Sequence, residues 1–73
     1  MKDKLYITFP TTSDALGSEK FLKDSGFDIK LVPVPRELSA GCGFSVEASP
    51  DLLEKLKSAL EDSDFETEDF VVL

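Results

Sequence analysis

A chain of 73 residues and 8.0 kDa can build one hydrophobic core, which excludes a multidomain protein. With 41% apolar residues, four Gly and four Pro, its composition is that of a folded protein and not of a disordered or collagen-like one. The formal net charge of −7, with no stripe of Lys or Arg to offset it, sets nucleic acid and anionic membranes aside as partners.

The first predicted element is a strand. Leu5-Tyr6-Ile7-Thr8-Phe9 alternates, placing Leu5, Ile7 and Phe9 on one side, and Pro10 stops the ladder. Thr11, Thr12, Ser13 and Asp14 then offer side-chain oxygens to cap the orphan amides of a helix. Ala15, Ser18, Phe21, Leu22 and Ser25 fall on one face of that helix, and Gly26 closes it. Gly17 costs such a helix about 1 kcal/mol relative to Ala, so a close approach by another part of the chain is expected there.

Phe27 to Val34 reads as a second strand with Ile29 and Leu31 at alternating positions. Its Pro33-Val34-Pro35 end lacks two amides, which marks an edge strand. Residues 35–42 form a connection. In a third strand Phe44, Val46 and Ala48 share a face, and Ser49-Pro50 follows as a helix cap with Pro at the first helical position. Leu52, Leu53, Leu56, Ala59 and Leu60 form the clearest amphipathic stripe, over residues 50–62. Ser63-Asp64 breaks it, and Glu68 to Val72 gives a last strand with Phe70 and Val72 inward.

Strand, helix, strand, strand, helix, strand is the order of the α+β, ferredoxin-like split βαβ sandwich (βαββαβ): a four-stranded antiparallel sheet with two helices on one face, here a single domain over residues 1–73. In that topology the third strand runs back between the first two. The end of strand one, the start of helix one and the loop into strand three therefore meet at one end of the sheet. Pro10-Thr11-Thr12-Ser13 and Gly41-Cys42-Gly43 are expected to be neighbours although about 30 residues separate them.

That convergence directs attention to Cys42, the chain's only cysteine and its one strong nucleophile. Flanking Gly41 and Gly43 allow a sharp bend and close approach to the sulfur. The amide end of helix one carries about half a positive charge, and Arg36 lies in the same loop; both favour thiolate over thiol. The competing reading is a small buried hydrophobe. Ser39, Glu37 and Thr12 are candidate proton partners, each equally at home as a turn or cap residue. With one cysteine and no histidine there is no catalytic triad, no Cys/His zinc site and no internal disulfide, so neither metal nor cofactor is expected. The two glycines lack the basic helix start of a nucleotide-binding loop. Tyr6 and Thr8, on the open face of the sheet, stand where RNA-binding sandwiches stack bases, but the acidic balance opposes that use.

The segment Pro33 to Gly43, PVPRELSAGCG, together with YITFPTTSDAL (Tyr6 to Leu16) and EKFLKDSGFDIKLVPVP, resembles the bacterial family of Se/S carrier protein-like domains, whose motif is PxPRxxSxGCG. The match covers about residues 4–60. The resemblance implies a sulfur or selenium carrier whose cysteine, Cys42, holds a persulfide or its selenium equivalent. Pro35, Arg36, Ser39, Gly41 and Gly43 would form the motif around it; Thr11, Thr12 and Ser13 are added as binding groups by the convergence of the loops and not by the resemblance. It also implies partners: a cysteine desulfurase or other donor, and an acceptor protein. A carrier is expected in preference to a turnover enzyme.

Other classes stay open on the residues themselves. One is a regulatory module that dimerises through its sheet and binds a small anion near Thr11, Thr12 and Arg36, with Cys42 incidental. Another is a purely structural interaction domain, fused to or associated with larger machinery, that uses the acidic helix two. Residues 1–46 hold six acids and six bases, whereas 47–73 hold nine acids and two bases, so the whole net charge lies in the last 27 residues. No apolar run approaches the ~20 residues that span a bilayer. A cytoplasmic location, where a thiol stays reduced, is expected.

Overall fold

The computed structural model describes residues 3–38 and 43–73. In chain order the elements are β1 (Leu5–Thr8), α1 (Thr12–Asp24), β2 (Lys30–Pro33), β3 (Phe44–Ala48), a 3-10 turn (Pro50–Leu52), α2 (Leu53–Glu61) and β4 (Phe70–Val72). The sheet order is β2-β3-β1-β4, and every neighbouring pair is antiparallel. This is the α+β arrangement expected from the element order, consistent with a ferredoxin-like fold.

Register fixes the core. Ile7 lies opposite Val46 and Phe70, and Val46 opposite Leu31, so one row of apolar side chains crosses all four strands on one face. Leu5 and Ala48 form the next row, paired with Val72. Ala15 and Leu22 of α1 and Leu56 and Leu60 of α2 close over these rows, with Phe9 and Ile29 filling the ends; all are buried. Each large side chain taken fully from water contributes about 1.5–3 kcal/mol, the main favourable term in so small a domain.

The ends of α1 are built as the sequence implies. Thr11 is the N-cap, its Oγ1 accepting from the Asp14 N–H at 3.1 Å. At the other end Gly26 takes a φ of +93°, a left-handed conformation that favours glycine. Ser25, expected on the buried face, is instead the exposed C-cap, and its hydroxyl donates to the Phe21 carbonyl at 2.9 Å. Gly17 does meet a close neighbour: the ring of Phe65, which also lies 6.2 Å from the Phe21 ring.

Four expected elements are shorter in the fold, β1 by its last residue, Phe9. β2 begins at Lys30 and not Phe27, because the Phe27 N–H still bonds to the Leu22 carbonyl and belongs to the helix exit. The second helix starts as a 3-10 turn at Pro50 and becomes α-helical at Leu53. β4 begins at Phe70 because Glu68 and Asp69 both face the single residue Thr8. The Glu68 N–H takes the Thr8 carbonyl (2.7 Å) and the Asp69 N–H takes Thr8 Oγ1 (3.0 Å), in the manner of a β-bulge. Two side chains expected inside are on the helix face but at its uncovered margins: Phe44 is 39% exposed and Val72 45%. Among the described residues no helix is long and apolar enough to cross a membrane.

Candidate functional site

The register of β1 with β3 decides where the loops gather. Thr8 is opposite Ser45, so the chain leaves β1 through Phe9-Pro10 at the same end of the sheet at which Gly43-Phe44 enters β3. Val34 and Gly43 extend the β2–β3 pairing outward, the Val34 N–H donating to the Gly43 carbonyl at 3.0 Å. The end of α2 and the connection into β4 arrive there too, since Glu68 and Asp69 bond to Thr8. The connections 9–11 and 62–69, and the described ends of the third at Val34 and Gly43, thus share one end of the domain.

Of the residues singled out in the sequence, Thr11, Thr12, Ser13, Pro35, Arg36 and Gly43 are described; Ser39, Gly41 and Cys42 lie outside the described residues. Thr11 caps α1, and Thr12 and Ser13 are exposed in its first turn. The Pro35 carbonyl accepts from the Leu38 N–H at 3.0 Å, closing a turn that carries Arg36 and Glu37 exposed at its tip. Gly43 has a φ of +80° with open space around its Cα, so its backbone makes a bend that an L side chain rarely adopts.

The face of the sheet away from the helices is not open along its whole length. Thr8 and Ser45 sit on it, yet are 1% and 0% exposed. The Glu37 carboxylate also acts electrostatically on the Tyr6 hydroxyl on that face. That end of the second face of the sheet is therefore covered. This corrects the picture of Tyr6 and Thr8 as a free stacking platform: Thr8 is covered, and its hydroxyl is used by the Asp69 N–H. The Ser45 hydroxyl beside it is buried with no hydrogen-bond partner among the described residues.

Next along the same face is a polar group that sequence reasoning passed over. The Tyr6 hydroxyl donates to Glu47 Oε2 at 3.2 Å, and Lys4 Nζ stands 3.7 Å from Glu47 Oε1. Burial pushes the Tyr6 phenol up from its ordinary value; its hydrogen bond to Glu47 and the negative charges of Glu47 and Glu37 push in the same direction. The alternation of β1 and β3 puts Tyr6 and Glu47 on one face, but their pairing depends on a register the sequence does not state.

A hollow of about 550 Å³ lies at the opposite end of the sheet, among Lys4, Asp28, Lys30, Glu47 and Asp51. It is remote from the three convergent connections and mixes both signs of charge. Among the described residues no group of His, Cys, Asp or Glu could hold a metal ion.

The family model described as "Putative Se/S carrier protein-like" matches residues 4–72 of the chain. No curated protein and no solved structure gives a significant match.

Proposed function

This chain belongs to the Se/S carrier protein-like family, and from that membership we propose that it is a carrier holding sulfur or selenium on Cys42. The observation that carries the reading is the match over residues 4–72 of a chain whose sole cysteine stands in PVPRELSAGCG. Local geometry supports it. Gly43, the residue after Cys42, enters the sheet at the end where Thr11 caps α1, and it bends through a positive φ. The amide end of α1 and the exposed Arg36 guanidinium are the positive groups at that end, which they share with the exposed acids Asp64, Glu66, Glu68 and Asp69.

The step is an exchange at sulfur. The Cys42 thiolate attacks the outer sulfur of a persulfide on a donor enzyme, such as a cysteine desulfurase. The donor's S–S bond breaks, its thiolate leaves, and a persulfide forms on Cys42; the electron count is unchanged and no oxidant enters. The same exchange in reverse sense passes the outer sulfur, or selenium, to an acceptor thiolate. Arg36 stabilises the anionic persulfide, and Gly41 and Gly43 leave room for a second active-site loop to approach. Such a protein is a carrier, works where thiols stay reduced, and is expected in the cytoplasm.

Incubation with a desulfurase and cysteine, followed by intact mass measurement, tests this. One added sulfur atom on the wild type and none on Cys42→Ala is the expected result. No addition to the wild type, or equal addition to the variant, rejects the reading. Retained anion binding by Cys42→Ser, without any persulfide, would instead favour a regulatory module built on Thr11, Thr12 and Arg36.

A further inference from the structure

The two edges of the sheet are unlike. β2 carries Lys30 and Pro33 and runs on towards Pro35, residues that discourage addition of a further strand. β4, Phe70-Val71-Val72, has neither Lys nor Pro. Lys4 and Leu73 exchange N–H and C=O bonds of 2.9 Å, and the Thr8 N–H donates to the Asp69 carbonyl at 2.9 Å, so residues 69, 71 and 73 turn their main-chain groups towards β1. By the alternation of an antiparallel ladder, the N–H and C=O of Phe70 and Val72 point away from the sheet. Among the described residues no strand lies beyond them.

The chain leading to this edge is acidic. Glu61, Asp62, Asp64, Glu66, Glu68 and Asp69 are all exposed, and the ion pairs among the described residues, Lys4–Glu47 and Lys23–Glu19, include none of them. We propose that the β4 edge accepts an added antiparallel strand from a partner protein, an extended apolar segment whose basic end lies beside residues 64–69. Four main-chain hydrogen bonds to Phe70 and Val72 supply the docking, and the acids select the sign of the partner. A second copy of this chain is the poorer occupant, because it brings another net charge of −7 to the same edge. The inference does not depend on the sulfur chemistry of Cys42.

The test uses the isotopically labelled full chain and two short synthetic peptides of alternating Val and Thr, one with a Lys-rich C-terminal end and the other with a Glu-rich one. The Lys-rich peptide is expected to shift the Phe70 and Val72 amide resonances and slow their hydrogen exchange, with the Glu-rich peptide inert. Val72→Pro removes one outward N–H at an edge position where Pro is tolerated and should abolish binding. Glu68→Lys with Asp69→Lys should weaken the Lys-rich peptide by roughly tenfold, and Cys42→Ala should bind as the wild type does. Shifts confined to another surface, equal binding of the two peptides, or undiminished binding by Val72→Pro would overturn the proposal. So would concentration-dependent protection of the same two amides without peptide, which would assign the edge to self-association.

Discussion

The ring of Phe65 occupies the space in which a side chain at Gly17 would begin: a Cβ there would stand 2.7 Å from the Phe65 Cζ, closer than packed atoms allow. The absence of a side chain in mid-helix is thus a packing requirement, and it ties α1 to the connection before β4.

Gly17→Ala should test that relationship by its sign. The better helix propensity of Ala is worth about 1 kcal/mol, whereas overpacking against a ring costs about 1–3 kcal/mol, so the variant should lose stability. In a Phe65→Ala background the same change should stabilise by up to about 1 kcal/mol. Urea unfolding of the four members of the cycle reads both values, and a stabilising Gly17→Ala in both backgrounds would dismiss the contact.

Thr11 joins two segments. Its Oγ1 accepts from the Asp14 N–H, its hydroxyl donates to Asp14 Oδ2 at 2.8 Å, and Asp14 Oδ1 accepts from the Glu66 N–H at 3.3 Å. Thr11→Ala should cost about 1 kcal/mol, with Thr11→Ser recovering most of it. Asp14→Ala should speed exchange of the Glu66 amide, observable by hydrogen exchange.

Tyr6 is the chain's one tyrosine and there is no tryptophan, so phenolate absorbance reports it alone. Its titration in the folded protein should lie above the ordinary phenol value of about 10, and Glu47→Gln should bring it down towards that value. Because the folded-state value is raised, the neutral phenol's contribution to stability is complete below the unfolded value. It is lost as pH climbs through the folded one. Tyr6→Phe should remove this part of the alkaline destabilisation; a wild-type midpoint at or below the free phenol's would contradict the assignment.

Leu56 is completely buried beneath α2, whereas Leu16 is 48% exposed on α1. Leu56→Ala should cost about 2–5 kcal/mol, enough to unfold much of so small a domain, and Leu16→Ala should stay within about 0.5 kcal/mol. Thermal unfolding followed by circular dichroism separates the two.

If Cys42 works as proposed, its alkylation rate should rise with pH around an inflection below the free thiol value of about 8.5. Arg36→Ala should move that inflection upward, since removing a cation disfavours the thiolate. An inert thiol, or one indifferent to Arg36, would leave the carrier reading without its electrostatic support.

Much of this was legible in the amino-acid order itself. The alternation of Leu5, Ile7 and Phe9, the stripe from Leu52 to Leu60 and the cap at Thr11 are local patterns of one segment, and local patterns set strands, helices and hence the α+β order. The PVPRELSAGCG segment is likewise contiguous, so the family could be read from it. Tertiary structure alone decided which distant groups touch. It put Phe65 against Gly17, covered Thr8 and Ser45 on the second face of the sheet, set Tyr6 against Glu47, and placed β2 and β4 at the two edges. Periodicity states which side of an element is apolar; it carries no information on which far segment will cover the other side, because that is settled by register and by the space the packed helices leave.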